Sequence, residues 1–128
     1  MKNFKSRIKI KALPEDVYAC FTNPFTIELW TGYEAEGTNE VGKEFSMLEG
    51  DIVGRVLELE ENKKIVQEWF FGDQKEQSIA TIKIFPNGNN NSQVDVEHIN
   101  IPSDAFEDIT EGWTDYFLGG IKEFLEIE

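Results

Sequence analysis

Apolar residues recur at helical spacing along the last stretch of the chain and at strand spacing along most of what precedes it. From Ser103 to the C-terminus, Phe106, Ile109, Trp113, Tyr116, Phe117, Ile121, Phe124 and Leu125 return every three or four residues. That spacing predicts one apolar stripe on a helix of about six turns. Glu107, Asp108, Glu111, Asp115, Glu123 and Glu126 fall mainly on the opposite face, and Ser103 and Asp104 offer oxygens to cap the helix start. Gly112, Gly119 and Gly120 interrupt it, each costing roughly 1 kcal/mol against alanine. They either let the helix lie close to a sheet or leave space between the two.

The pattern before this helix is mostly of period two. Phe4, Ser6, Ile8, Ile10 and Ala12 alternate with Lys5, Arg7, Lys9 and Lys11, which predicts a strand with one buried and one wet face. Pro14, followed by Glu15 and Asp16, opens a short helix with Val17, Tyr18 and Phe21 on its apolar side. Asn23-Pro24 ends it and starts a second, through about Trp30, closed by Gly32. Strands are then expected at Tyr33–Glu36, Lys43–Leu48, Asp51–Leu59, Lys64–Phe71, Gln77–Phe85 and Ser92–Ile101. Tight turns at Glu49-Gly50, at 60–63 and at Pro86-Asn87-Gly88 make neighbouring strands antiparallel. The prediction is an α+β fold in which a curved antiparallel sheet of six to seven strands wraps around the long C-terminal helix, with two short helices after the first strand.

Composition narrows the function classes. The 128 residues suffice for one domain with a real core. No apolar run approaches the ~20 residues of a membrane span. The N-terminus lacks the apolar stretch of a signal peptide, and Cys20 is the single cysteine. The expectation is a cytoplasmic protein without membrane insertion. Net charge is -13, and residues 1–11 hold five of the 12 bases and none of the 25 acids. So acidic a chain repels phosphate backbones, which argues against nucleic acid as a partner. The basic stripe on the first strand could dock an acidic partner, although such a run is more often a solvated strand face.

Little in the chain points to catalysis. Gly37 through Glu44 approaches a phosphate-binding loop, but it has Glu44 where the loop needs a serine or threonine, and it leads into a strand. One histidine and one cysteine, with no metal-binding spacing, imply neither metal nor cofactor. His98 shares the face of Val94 and Val96. It is either a core histidine bonded to a neighbour or an acid–base group, with no nucleophile or carboxylate placed beside it. The ten phenylalanines, three tryptophans and three tyrosines either fill a core or line a pocket for an apolar ligand. Phe45, Trp69, Phe71 and Phe85 fall on strands, Trp30 ends the second short helix, and Trp113, Tyr116 and Phe117 lie on the long one.

This order of elements resembles the START-like, helix-grip superfamily (SRPBCC). More closely it resembles the C-terminal-type domain of the activator of HSP90 ATPase homologue family. The residues that carry the resemblance are Leu13-Pro14-Glu15-Asp16-Val17-Tyr18 leading into Phe21-Thr22-Asn23, then Leu29-Trp30-Thr31. After them come Gly42-Lys43-Glu44-Phe45, Gly54-Arg55-Val56-Leu57-Glu58-Leu59, Lys64-Ile65-Val66-Gln67-Glu68-Trp69, Glu97-His98 and Gly112-Trp113. The resemblance implies a single helix-grip domain over 1–128, with a deep apolar cavity between sheet and helix. Eukaryotic co-chaperones of the family join this domain to a separate N-terminal one that supplies much of the chaperone contact, whereas this chain starts directly on its first strand. The leading expectation is therefore a non-enzymatic, stress-related or regulatory binding protein, monomer or homodimer. It would hold a small hydrophobic molecule among Trp30, Phe45, Trp69, His98, Trp113 and Phe117. The alternative is a co-chaperone that stimulates an HSP90-type ATPase, and a cyclase-type enzyme using His98 comes third.

Overall fold

A computed structural model describes residues 1–72 and 76–126. Strand β1 (Lys2–Ile10) is followed by helices α1 (Pro14–Thr22) and α2 (Pro24–Thr31). Then come strands β2 (Glu44–Met47), β3 (Ile52–Glu60), β4 (Lys64–Trp69), β5 (Ser78–Pro86) and β6 (Ser92–Ile101). The chain closes with α3 (Phe106–Glu111), a π-helical stretch (Gly112–Leu118) and α4 (Gly119–Leu125), which run on as one C-terminal helix. Its predicted continuation to the C-terminus includes Ile127 and Glu128, which lie outside the described residues. No helix among the described residues is long and apolar enough to cross a membrane.

The six strands form one antiparallel sheet in the order β1-β6-β5-β4-β3-β2. The expected strand at Tyr33–Glu36 shrinks to a single bridge, Glu36 to Ser46, because Gly37 turns the chain away at once with a φ of 74°. On β6 the inward residues are Ser92, Val94, Val96 and His98, and on β5 they are Ser78, Ala80, Ile82 and Ile84. That phase leaves Phe85 outside the core, 42% exposed. A bulge between Val56 and Glu58 adds Leu57 to β3 without a partner and turns it outward.

The two short helices start where proline allows. Pro14 and Pro24 hold the first turns, where no hydrogen-bond donor is needed. The Asn23 side chain accepts from the Phe25 and Thr26 amides, capping α2 directly after it closes α1. Gly32 ends α2 with a φ of 83°. α1 packs against β5, and both short helices pack against α4.

The C-terminal helix covers the inner face of the sheet, with Trp113, Phe117, Leu118 and Ile121 buried. Two expectations about it are corrected. Ser103 and Asp104 do not cap it. They sit in the turn from Pro102 to Ala105, and the capping position falls to Ala105, which makes no side-chain bond. Tyr116 leaves the buried stripe and is 40% exposed. The cause is the π stretch, where the Gly119 amide reaches back five residues to Thr114 O. A widened turn brings positions four and five residues apart onto one side. Phe117 and Leu118 therefore both face inward from Trp113, and Tyr116 is rotated out.

Strand β1 holds both ends of this helix. The Lys2 ammonium lies 5.1 Å from the Phe106 ring centre. At the far end Lys122 donates to Lys9 O at 3.0 Å, and Glu126 accepts from the Lys11 amide at 2.9 Å and from Lys122 at 2.7 Å. These donors hold the Glu126 carboxyl below the usual range. On the outer face, Arg7 makes two bonds to Asp95, at 2.9 and 3.1 Å, and Lys5 pairs with Glu97 at 3.3 Å. Lys5 and Arg7 of the basic stripe are thus paired within their own sheet.

Gly54 sets the spacing of β2, β3 and β4. A Cβ there would fall on the Glu68 carbonyl oxygen and within 2.8 Å of the Phe45 ring. Neither atom can yield without moving a strand. Gly54→Ala should cost about 2–3 kcal/mol in urea unfolding. A loss under about 0.5 kcal/mol would show that the strands are not held this close.

Candidate functional site

The end of β4, the start of β5 and the last part of β6 meet in one region of the inner face, and the helix crosses it at Trp113. The alternation of each strand points Trp69, Ser78 and His98 inward there. The Trp69 and Trp113 rings stack with centres 5.2 Å apart. His98 stands edge-on to both, at 4.8 and 6.1 Å. Phe117 lies 5.2 Å from Trp113, and Trp30 lies 5.7 Å from Phe117. Five of the six residues singled out in the sequence therefore form one run of ring contacts. The sixth, Phe45, is buried on β2 against Gly54.

Polar atoms inside this cluster are paired. Trp113 Nε1 donates to His98 Nδ1 at 3.0 Å. An indole can only donate, so the imidazole proton sits on Nε2 and points to Ser78 Oγ, 2.8 Å away. The Ser78 hydroxyl passes on to Ile99 O at 3.2 Å. Trp69 Nε1 donates to Gln67 Oε1, and Trp30 Nε1 to Cys20 O. No fully buried side-chain nitrogen or oxygen among the described residues lacks a partner.

His98 is fully buried, and burial pushes its pKa down to about 4. With both nitrogens engaged and, among the described residues, no charged group that shifts it, it is a neutral structural link between helix and sheet. It is not poised for proton transfer near neutral pH. Burial likewise raises the Cys20 thiol to about 12, which leaves it unreactive. Among the described residues no three His, Cys, Asp or Glu side chains are grouped to hold a metal ion.

Beside the cluster a cleft of about 430 Å³ opens between the helix and the β2–β3 end of the sheet. Trp69 and Phe117 line it; Trp30, Phe45, His98 and Trp113 do not. Its other walls are Leu48, Ile52, Ile109 and Tyr116, with Asp51 and Asp108 also on its lining. Leu48 and Glu49, at the turn beside it, both have positive φ, an uncommon backbone conformation for residues with side chains. Gly112 also lines the cleft, and a Cβ there would meet no atom within 4 Å. The three helix glycines thus divide. Gly112 leaves space, Gly120 admits the Trp30 ring, which a Cβ there would meet at 3.2 Å, and Gly119 sits against Thr114 O in the widened turn. Sequence reasoning flagged Gly112 but not the loop and turn residues opposite it, which carry no periodic signal.

An open antiparallel sheet, two short helices after its first strand and a terminal helix laid across its inner face define the helix-grip class. Residues 11–126 match the family described as activator of Hsp90 ATPase homolog 1-like protein, and the chain belongs to that family. The human activator of 90 kDa heat shock protein ATPase homolog 1 is 31% identical over 111 residues, covering 86% of this chain and 33% of that protein. A Dictyostelium discoideum homologue is 31% identical over 123 residues, covering 94% and 32%. The chain thus spans about one third of the length of these curated relatives. Among solved structures, an HSP90 activator from Plasmodium falciparum superposes with a TM-score of 0.88 at 28% identity, covering 98% of this chain and 96% of that one. A protein from Colwellia psychrerythraea described as an Aha1 dimer gives 0.81 at 25% identity over 99% and 98%.

The chain's single imidazole makes the buried link directly observable. In NMR it should remain neutral, with its proton on Nε2, down to pH near 4. Between pH 6.5, the ordinary histidine value, and about 4, the unfolded chain binds a proton that the folded chain does not. The stability contributed by the neutral ring is therefore complete above 6.5 and is lost as pH falls toward 4. An imidazole titrating near 6.5 would mean that the ring is solvated and the link absent.

Proposed function

We propose that this chain, working as one domain in the cytoplasm, binds an HSP90-type chaperone through its surface and stimulates its ATPase. The observation that carries this reading is the filled interior. The rings expected to bound a deep cavity instead pack on one another, and their polar atoms all have protein partners. That moves the balance from a ligand buried in the core toward the surface. The Plasmodium falciparum protein, whose length this chain covers almost entirely, is described as an HSP90 activator, which supports the same reading. The test is the ATPase rate of a purified HSP90-type chaperone from the same cell, titrated with the full chain. A saturable rise is expected, and an unchanged rate at saturating chain would end this reading.

The cleft supports a second reading, a small apolar molecule held between helix and sheet. Its walls are mainly apolar or aromatic, and Gly112 keeps it open. Replacing a helical glycine by leucine also improves helix propensity by up to about 1 kcal/mol. Gly112→Leu should therefore fold at least as stably and abolish the fluorescence gain of the neutral apolar dye Nile red. Undiminished dye fluorescence in that variant would remove the cleft as the binding site.

A further inference from the structure

Helix α2 leaves an apolar stripe uncovered. Phe25 and Leu29, one turn apart, are 70% and 58% exposed, and Tyr33, just past the Gly32 cap, is 45% exposed. The helix is not loosely attached. Its other side buries Ile27 and sends Trp30 against Tyr116, Phe117 and Gly120. A lone exposed apolar residue is ordinary, but two one turn apart on an anchored helix, with a third just past its cap, mark a contact surface.

Beside the stripe runs a groove of about 530 Å³ containing Tyr33 and rimmed by Glu28, Glu34, Glu36 and Glu49. Among the described residues none of these carboxylates joins an ion pair, and no lysine or arginine lines the groove.

We propose that this face of α2 and the groove beside it dock a basic amphipathic segment of a partner protein. Apolar residues of the segment would cover Phe25, Leu29 and Tyr33, and its lysines or arginines would meet the four glutamates. Charge selects this occupant. A second copy of the same face would set one group of four carboxylates against another, while the bases Lys5 and Arg7 are already engaged by Glu97 and Asp95. An anionic lipid surface would be repelled in the same way. The assignment rests on the reading that the chain acts through its surface, and its test uses no chaperone, so the two can fail separately.

The experiment is a fluorescence-anisotropy titration of the full chain with a labelled amphipathic helical peptide of leucine and lysine, beside a leucine–glutamate counterpart. Only the basic peptide should bind. The pair Phe25→Ser and Leu29→Ser, and separately Glu28→Gln, Glu34→Gln, Glu36→Gln and Glu49→Gln together, should each weaken it about tenfold or more. Neutralising Glu107, Glu111, Asp115 and Glu123 on the outer side of the C-terminal helix should change affinity less than about threefold. All the substituted side chains are solvent-exposed, so folding is checked by circular dichroism. Equal weakening by the control set would reduce the effect to general attraction to an acidic protein and overturn the proposal. So would absence of binding, or affinity unaffected by the Phe25 and Leu29 changes. A dimer in sedimentation that dissociates on Phe25→Ser would give the face to a second copy instead.

Discussion

In the core, the C-terminal helix is registered on the sheet by a hydrogen bond between two rings, Trp113 Nε1 on His98 Nδ1. Apolar packing alone would tolerate small slides of a helix along a sheet, because dispersion and burial are not directional. A buried donor that can only donate, meeting a lone pair whose orientation Ser78 sets from the other side, permits one position. The surrounding rings exclude water from the pair, and the cost of leaving either group unpartnered there, about 1–3 kcal/mol, is what gives the bond its authority. The stacking of Trp69 on Trp113, the placing of Phe117 and the seat of Trp30 follow from that registration.

A core closed in this way leaves its recognition surfaces at the margins. The cleft lies where the helix begins to lift from the β2–β3 end, and the exposed stripe of α2 lies where a helix is anchored by one side only. Both border the turn at Leu48–Gly50, with Leu48 facing the cleft and Glu49 the groove. The unusual backbone of that turn is therefore shared by the two surfaces.

Most elements are legible in the chain because their signals are local. Alternation marks β1 and β6, Pro14 and Asn23-Pro24 mark the helix starts, and Gly32 marks a stop. What is not legible depends on distances between elements. A fixed helical period assigns Tyr116 to the buried stripe and passes over Leu118, because nothing in the pattern announces the wider turn between Gly112 and Leu118. Leu57 reads as an ordinary strand position until its partner strand shows the bulge. Phe85 reads as core until the inward phase of β5 is known. The candidate site follows the same division. Trp69, His98 and Trp113 can be assigned to inner faces from spacing, yet whether they enclose space or fill it depends on how near the helix sits. Only Trp69 and Phe117 of the six remain on an open cleft.

Strand β1 gives the fold an order in time as well as in space. The nine residues of β1, Lys2–Ile10, extend roughly 30 Å at 3.3 Å per residue, and from Phe106 to Glu126 a helix covers roughly the same at 1.5 Å per residue. The first element is thereby matched in length to the last described one, which it clasps at both ends. It also pairs with β6, nearly the whole sheet away in sequence. During synthesis the first strand must wait for β6 to emerge, and the apolar face of the sheet must wait for the helix. Such pairings form slowly and leave unpaired edges exposed until the end. On the ribosome this domain cannot close until the residues through its C-terminal helix have been made.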